Sequence, residues 1–167
     1  VALDLSKAFD SVNHCTLINL INTAAPAYLS RWLSNYLKGR QSKTIFRNTL
    51  SQSRLIHAGV PQGSVISPAL FNAYVSNIPD MPSNIHVISY ADDFTVFASD
   101  PKIDRMVPPL NQYLDELSSF FTRRSLTLSA TKSTVTLFTP HKQEANIHPP
   151  IRINNADLPL DKNTDPW

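Results

Sequence analysis

Two short β-rich runs, Ile85–Tyr90 and Phe94–Ala98, lie on either side of Ala91-Asp92-Asp93. Runs with so few residues between them pack only by returning on each other. This predicts an antiparallel hairpin with Asp92-Asp93 at its tip. Asp is an ordinary turn residue, because its side chain bonds nearby backbone. The pair nevertheless lacks the Asn-Gly or Asp-Gly chemistry that tight hairpins favour. It also sets two like charges at the end of an apolar hairpin, where they repel unless a cation is present.

A second apolar run, Val1-Ala2-Leu3, carries Asp4, and Val1–Leu5 reads as a strand. Taken alone, Asp4 is a cap or a surface acid. If this strand neighbours the hairpin, Asp4 and Asp92 meet at one edge of a sheet. A cluster of hard oxygen ligands there suits Mg²⁺. Two such ions a few ångströms apart can activate an attacking hydroxyl and stabilise a leaving pyrophosphate.

The other elements mix helix and strand without strict β-α-β alternation. Asp10 or Ser11 suits the cap of a helix through Asn22, with Leu17, Ile18 and Ile21 on one face. Pro26 suits the first turn of a second helix, in which Tyr28, Leu29, Trp32, Leu33, Tyr36 and Leu37 recur at helical spacing and Gly39 marks the stop. Thr44–Phe46 and Arg54–His57 read as two strands joined by the polar run Asn48–Ser53. Ser67-Pro68 opens a third helix over Ala69–Asn77. Residues 104–124 form a long helix candidate interrupted early by Pro108-Pro109, and Leu126–Leu128 and Thr134–Phe138 are β-like. The pattern predicts an α+β fold, an antiparallel sheet with helices on one face. Prolines crowd residues 140–167, which read as irregular apart from a short strand around Ile151–Ile153.

Composition narrows the function. The chain has 167 residues, 42% hydrophobic and 17% charged, which suits one domain or part of a larger one and excludes wholesale disorder. The net charge of +2 identifies no partner, but its distribution is uneven. No acidic residue occurs between Asp10 and Asp80, a stretch holding Arg31, Lys38, Arg40, Lys43, Arg47 and Arg54. That stretch can be a solvated face or a surface for a polyanion backbone. The single Cys15 excludes an intramolecular disulfide framework and makes a reducing compartment the default. No apolar run approaches the roughly 18 residues of a membrane span, and no secretory signal is visible, so an intracellular location is expected. Only Gly39, Gly59 and Gly63 are present, which removes the glycine-rich dinucleotide and P-loop signatures.

Three segments occur in order: Leu3-Asp4-Leu5-Ser6-Lys7-Ala8-Phe9-Asp10-Ser11-Val12, Gly59-Val60-Pro61-Gln62-Gly63-Ser64-Val65-Ile66-Ser67-Pro68 and Tyr90-Ala91-Asp92-Asp93. In order and spacing they resemble motifs A, B and C of reverse transcriptases, especially those of non-LTR (LINE, jockey-like) retrotransposons. The likeness continues through Leu126–Lys132, which resembles the motif D region. The resemblance implies the palm of a right-hand polymerase over residues 1–139, partial and lacking most of the fingers and thumb, followed by a divergent tail at 140–167. It implies RNA-directed DNA synthesis from an RNA template, a DNA primer and dNTPs, with two Mg²⁺ ions for which Mn²⁺ substitutes. Asp4, Asp92 and Asp93 would be catalytic metal ligands. Leu5 and Ser6 would bring backbone near the triphosphate, and Phe9 would sit under the sugar and reject a 2′-hydroxyl. Gln62 and Gly63 would line the nucleotide pocket, Tyr90 would support the primer terminus, and Lys132 would protonate the leaving pyrophosphate.

The sequence departs from that pattern in places. It begins at motif A, so basic side chains that would grip the triphosphate from preceding fingers elements are not in it. Ser125 stands where many relatives carry glycine. Asp161–Trp167 does not match the Lys-x-Leu-Gly-Val-like strand expected after Leu158-Pro159-Leu160. Further modules of a longer polyprotein are expected. Two other functions stay open: an inactive fragment that binds nucleic acid through residues 31–54, and a protein-interaction domain using the helix at 26–38.

Overall fold

The computed structural model describes residues 1–141, 144 and 147–161. In chain order its elements are β1 (Ala2–Ser6), α1 (His14–Ala24), α2 (Ala27–Leu37), β2 (Gln41–Ser42), β3 (Ile45–Phe46), β4 (Thr49–Leu50), β5 (Arg54–Leu55), α3 (Ser67–Tyr74), β6 (Ile85–Tyr90), β7 (Asp93–Ala98), α4 (Ile103–Arg123), β8 (Thr127–Leu128), β9 (Arg152–Ile153) and β10 (Ala156–Asp157). They divide into two units. One joins Val1–Ser6 to the chain from Asn77 onward, and the other is Lys7–Ser76.

The first unit is built on an antiparallel sheet of order β6-β7-β1-β8. The N-terminal strand does neighbour the hairpin: Leu3 lies opposite Phe94, and Asp4 opposite Asp93. Because side chains alternate faces along a strand, this register sends Leu3, Leu5, Phe94 and Val96 into the core, and all four are buried. Phe121 of α4 meets Phe94 edge-on, with ring centroids 5.1 Å apart, so the helix covers the apolar face.

Helix α4 runs unbroken through Pro108 and Pro109, where the sequence predicts an interruption. An interior proline costs about 3 kcal/mol or more. Against that, Leu110, Tyr113, Leu114, Leu117, Phe120 and Phe121 recur at helical spacing and are all buried. Each such side chain contributes about 1.5–3 kcal/mol on burial, so the stripe outweighs both breaks. The β-like run Thr134–Phe138 forms no strand, only single bridges from Thr134 to Ala2 and from Val135 to Leu160. In the tail, the strand expected near Ile151–Ile153 acquires a partner, β10. The link is Asn154-Asn155, both in the left-handed region (φ 51 and 63), as a tight two-residue hairpin requires. Ile151, Ile153 and Leu158 are buried. Residues 162–167, most of the segment that fails to match the expected Lys-x-Leu-Gly-Val-like strand, lie outside the described residues.

In the second unit α1 is capped neither by Asp10 nor by Ser11. A 3-10 turn over Phe9–Ser11 precedes it, Val12 is fully buried, and Asn13 caps the helix by accepting from the Thr16 amide at 3.0 Å. Pro26 stands just before α2 as its N-cap, not inside the first turn. Leu33 and Leu37 are buried, whereas Tyr28 and Trp32, expected on the same apolar stripe, are exposed. Gly39 follows the helix with φ 67. The pairing expected between residues 44–46 and 54–57 is replaced by two nested ladders, β3 with β4 and β2 with β5. The inner one closes at Arg47-Asn48, both with positive φ (44 and 62). Helix α3 starts two residues earlier than expected and ends at Tyr74. No helix among the described residues is long and apolar enough to cross a membrane.

Candidate active site

Asp4 and Asp93 face each other on adjacent antiparallel strands. Directly opposed side chains share a face, and their Cβ atoms lie about 4.5–5.5 Å apart. The hairpin tip differs by one residue from the expected turn. Ala91 and Asp92 form the link, while Asp93 is already the first residue of β7, opposite Tyr90. Ala91 takes φ 54, a left-handed conformation costing an L-residue roughly 1–2 kcal/mol. Asp92, in the link, is half-buried; Asp93 and Tyr90 are exposed.

The Asp4 carboxylate is 41% exposed as a side chain, yet its Oδ2 is itself buried and accepts no hydrogen bond. The Lys132 Nζ lies 4.0 Å from that oxygen. A turn over 129–133 places the lysine. Its Ser129 amide donates to the Asp4 carbonyl (2.9 Å), the Asp4 amide donates to Ser133 Oγ (3.1 Å), and Ser133 Oγ donates to the Ser129 carbonyl (2.8 Å). Leu5 is buried opposite Leu128, and Ser6 ends the strand opposite Thr127.

In the other unit, Phe9 stacks on Phe71 at 4.8 Å. Gln62 and Gly63 are exposed in the loop before α3, and Gly63 has φ 82. That loop is laced to residues 9–13. The Val60 amide donates to the Phe9 carbonyl (2.8 Å) and the Gly59 amide to the Val12 carbonyl (2.7 Å). The backbones approach so closely at Gly59 that a Cβ there would lie 2.9 Å from the Asp10 Cα. Three side chains not singled out as site residues from the sequence also hold this loop. Gln62 Nε2 donates to Asp10 Oδ1 (3.1 Å), His14 Nε2 lies 2.7 Å from the Gly59 carbonyl, and the Tyr36 hydroxyl donates to Ser64 Oγ (2.9 Å). Asp10 was visible as an acid beside Phe9. Nothing local marks His14 or Tyr36, whose partners lie far along the chain.

Among the described residues no three His, Cys, Asp or Glu side chains converge into a metal cage. Mg²⁺ does not demand one, since it is commonly held by one or two carboxylates plus substrate phosphates and water. An acid with a buried, unbonded oxygen, facing a second acid across a ladder, is a donor set of that kind.

A family profile described as "Reverse transcriptase (RNA-dependent DNA polymerase)" matches residues 1–155. The chain belongs to the reverse transcriptase family. Among its relatives is the probable RNA-directed DNA polymerase from transposon BS of Drosophila melanogaster, 31% identical over 83% of this chain and 16% of the relative. The RNA-directed DNA polymerase from mobile element jockey of Drosophila funebris is 26% identical over 93% of this chain and 18% of the relative. The retrovirus-related Pol polyprotein from type-2 retrotransposable element R2DM of Drosophila melanogaster is 28% identical over 99% and 16%. These matches lie among non-LTR retrotransposons. This reverse transcriptase chain spans less than a fifth of the length of those three relatives. Reverse transcriptases generally depend on a divalent metal.

Proposed function

We propose that the chain is the carboxylate-bearing part of an RNA-directed DNA polymerase, corresponding over residues 1–139 to a partial right-hand palm and over 140–167 to a divergent tail. The single observation that carries this is the β1–β7 register, which pairs Asp4 with Asp93, the residue that follows Asp92 in the chain, with one Asp4 oxygen buried and unbonded. Phosphoryl transfer asks a protein mainly for positioning and charge neutralisation, and these residues are suited to both.

Asp4, Asp92 and Asp93 would hold two Mg²⁺ ions, with Mn²⁺ able to replace them. When bound, the metal lowers the barrier to attack by the primer 3′-hydroxyl on a dNTP and neutralises charge on the pyrophosphate. Leu5 and Ser6 would bring backbone to the triphosphate. Phe9, braced by Phe71, would present a ring to the sugar. Gln62 and Gly63 would line the pocket around base and template, and Tyr90 would carry the primer terminus. Lys132 would donate a proton to the leaving pyrophosphate. The substrates of this reading are an RNA template, a DNA primer and dNTPs.

The test is primer extension on an RNA template by the full-length protein in Mg²⁺. Asp4→Asn and Asp92→Asn should each lower the rate by about 10²–10³, the loss expected for one strong electrostatic contributor. If extension persists in both variants, the reading is wrong. Binding of nucleic acid that falls steeply with salt and ignores Asp92→Asn, with no extension by the unaltered protein, would leave only a binding role.

A further inference from the structure

We propose that Asp10 is a positioning residue for nucleotide selection, acting through Gln62; the proposal rests on the polymerase reading for the meaning of Gln62. Gln62 Nε2 donates to Asp10 Oδ1 at 3.1 Å. An ionised carboxylate only accepts, so only the amide nitrogen of Gln62 can face it. The Asp10 side chain therefore fixes which way the Gln62 amide is turned. The carbonyl oxygen and the second amide hydrogen remain for a ligand, in a defined orientation. A neutral partner that both donates and accepts would allow either orientation. Hydrogen bonds to an ionised acceptor are also about twice as strong as neutral ones.

The surroundings make this contact the anchor of the Gln62 side chain in a loop that is fastened on either side of it. Before Gln62 the loop is fastened by the Val60–Phe9 and Gly59–Val12 hydrogen bonds. After it, Ser67 Oγ donates to the Pro61 carbonyl at 2.6 Å and the Tyr36 hydroxyl to Ser64 Oγ. Between those fastenings Gln62 is exposed, and Asp10 accepts the hydrogen bond from its side-chain amide. Asp10 also follows Phe9 directly in the same 3-10 turn. One short segment thus carries both the ring assigned to the sugar and the carboxylate that orients the residue assigned to the base.

The experiment is a double-mutant cycle on equilibrium binding of an unreactive dNTP analogue to the full-length protein with primer and RNA template. Asp10→Ala and Gln62→Ala should each weaken binding about tenfold, the loss of one charge-assisted hydrogen bond. The double variant should be no weaker than either single one. Asp10→Asn, which keeps the size and can still accept, should restore part of the affinity and reduce discrimination between matched and mismatched dNTPs. Melting temperatures measured alongside identify a misfolded variant, and Asp10→Asn then carries the cycle. Independent, multiplying losses in the double variant would overturn the proposal, as would unchanged binding in Asp10→Ala or absence of dNTP binding by the unaltered protein. Failure of the polymerase reading looks different: undiminished extension in Asp4→Asn, with the Asp10–Gln62 coupling intact.

Discussion

Lys132 Nζ stands 4.0 Å from Asp4 Oδ2, the buried carboxylate oxygen that accepts no hydrogen bond. The lysine side chain is 69% exposed, so the pair contributes at most about 1 kcal/mol to stability. Lys132→Leu should therefore leave the melting temperature nearly unchanged. If the lysine is a general acid, the same substitution should slow single-turnover nucleotide addition by about a hundredfold or more, well beyond any loss of dNTP affinity. Rapid-quench kinetics at saturating dNTP check this; an unchanged rate removes the role.

The Asp4–Asp93 pair should oppose the stability of its own sheet. Like charges directly opposite each other on neighbouring strands are unfavourable by a few tenths to about 1 kcal/mol. Asp93→Asn should therefore raise the denaturant midpoint in metal-free buffer while weakening Mn²⁺ binding. Chemical denaturation and a Mn²⁺ titration followed by electron paramagnetic resonance measure the two effects. A variant that is less stable without metal would show that the two carboxylates do not repel.

The pairing that sets Asp4 against the hairpin was legible in the sequence because it depends on local signals. Ile85–Tyr90 and Phe94–Ala98 announce a hairpin, and the register that brings Asp4 to it follows from burying Leu3 against Phe94. Elements governed by distant partners were not legible. Pro108-Pro109 reads locally as a break, and only the aromatic and leucine stripe that follows it, packed on the sheet, keeps α4 continuous. The nested ladders at 41–55 turn at Arg47 and Asn48; asparagine tolerates the left-handed conformation, but Arg47 adopts it too and carries no such signal. His14 and Tyr36 reach the Gly59–Ser64 loop across 45 and 28 residues of sequence, and no local pattern encodes those separations.

Phe9 has two roles to separate. It stacks on Phe71, which is fully buried, so Phe9→Val should cost about 1–3 kcal/mol of stability through lost packing. If the ring also excludes a 2′-hydroxyl, the variant should incorporate ribonucleotides markedly better than the parent. The ratio of kcat/KM for dNTP to that for the matching rNTP, measured below the variant's melting temperature, is the relevant quantity. An unchanged ratio leaves Phe9 as a packing residue only.

Tyr113 should give the protein an alkaline limit. Burial, then the negative charges of Glu116 and Asp80, raises its phenol above the ordinary value. The neutral form is thus favoured by folding. Its contribution is fully present below the ordinary phenol range of about 10 and is lost as pH rises through the elevated folded value. Tyr113→Phe loses the 3.3 Å bond to the Pro79 carbonyl, at about 0.5–1.5 kcal/mol in neutral buffer. In strongly alkaline buffer the variant should lose less stability than the parent. Urea midpoints in both buffers decide this, and parallel losses would exclude Tyr113 as the cause.

Ser125 occupies a position built for glycine. It follows α4 with φ 58. Its amide donates to the Thr122 carbonyl and that of Leu126 to the Phe121 carbonyl, both at 2.9 Å. These are the two hydrogen bonds of a Schellman ending, with Ser125 at the left-handed site and the buried Leu126 and Phe121 as its apolar contact. Glycine adopts that conformation without the roughly 1–2 kcal/mol that an L-side chain incurs, although its freer unfolded chain gives back about 0.5–1 kcal/mol. Ser125→Gly should therefore stabilise the fold by a few tenths to about 1 kcal/mol. Because β8 follows only two residues later and pairs with Leu5 and Ser6 beside Asp4, the gain should appear as slower amide exchange at Leu5 and Ser6 as well as a higher denaturant midpoint. A lower midpoint for Ser125→Gly would mean that the serine hydroxyl stabilises the helix end more than its backbone conformation strains it.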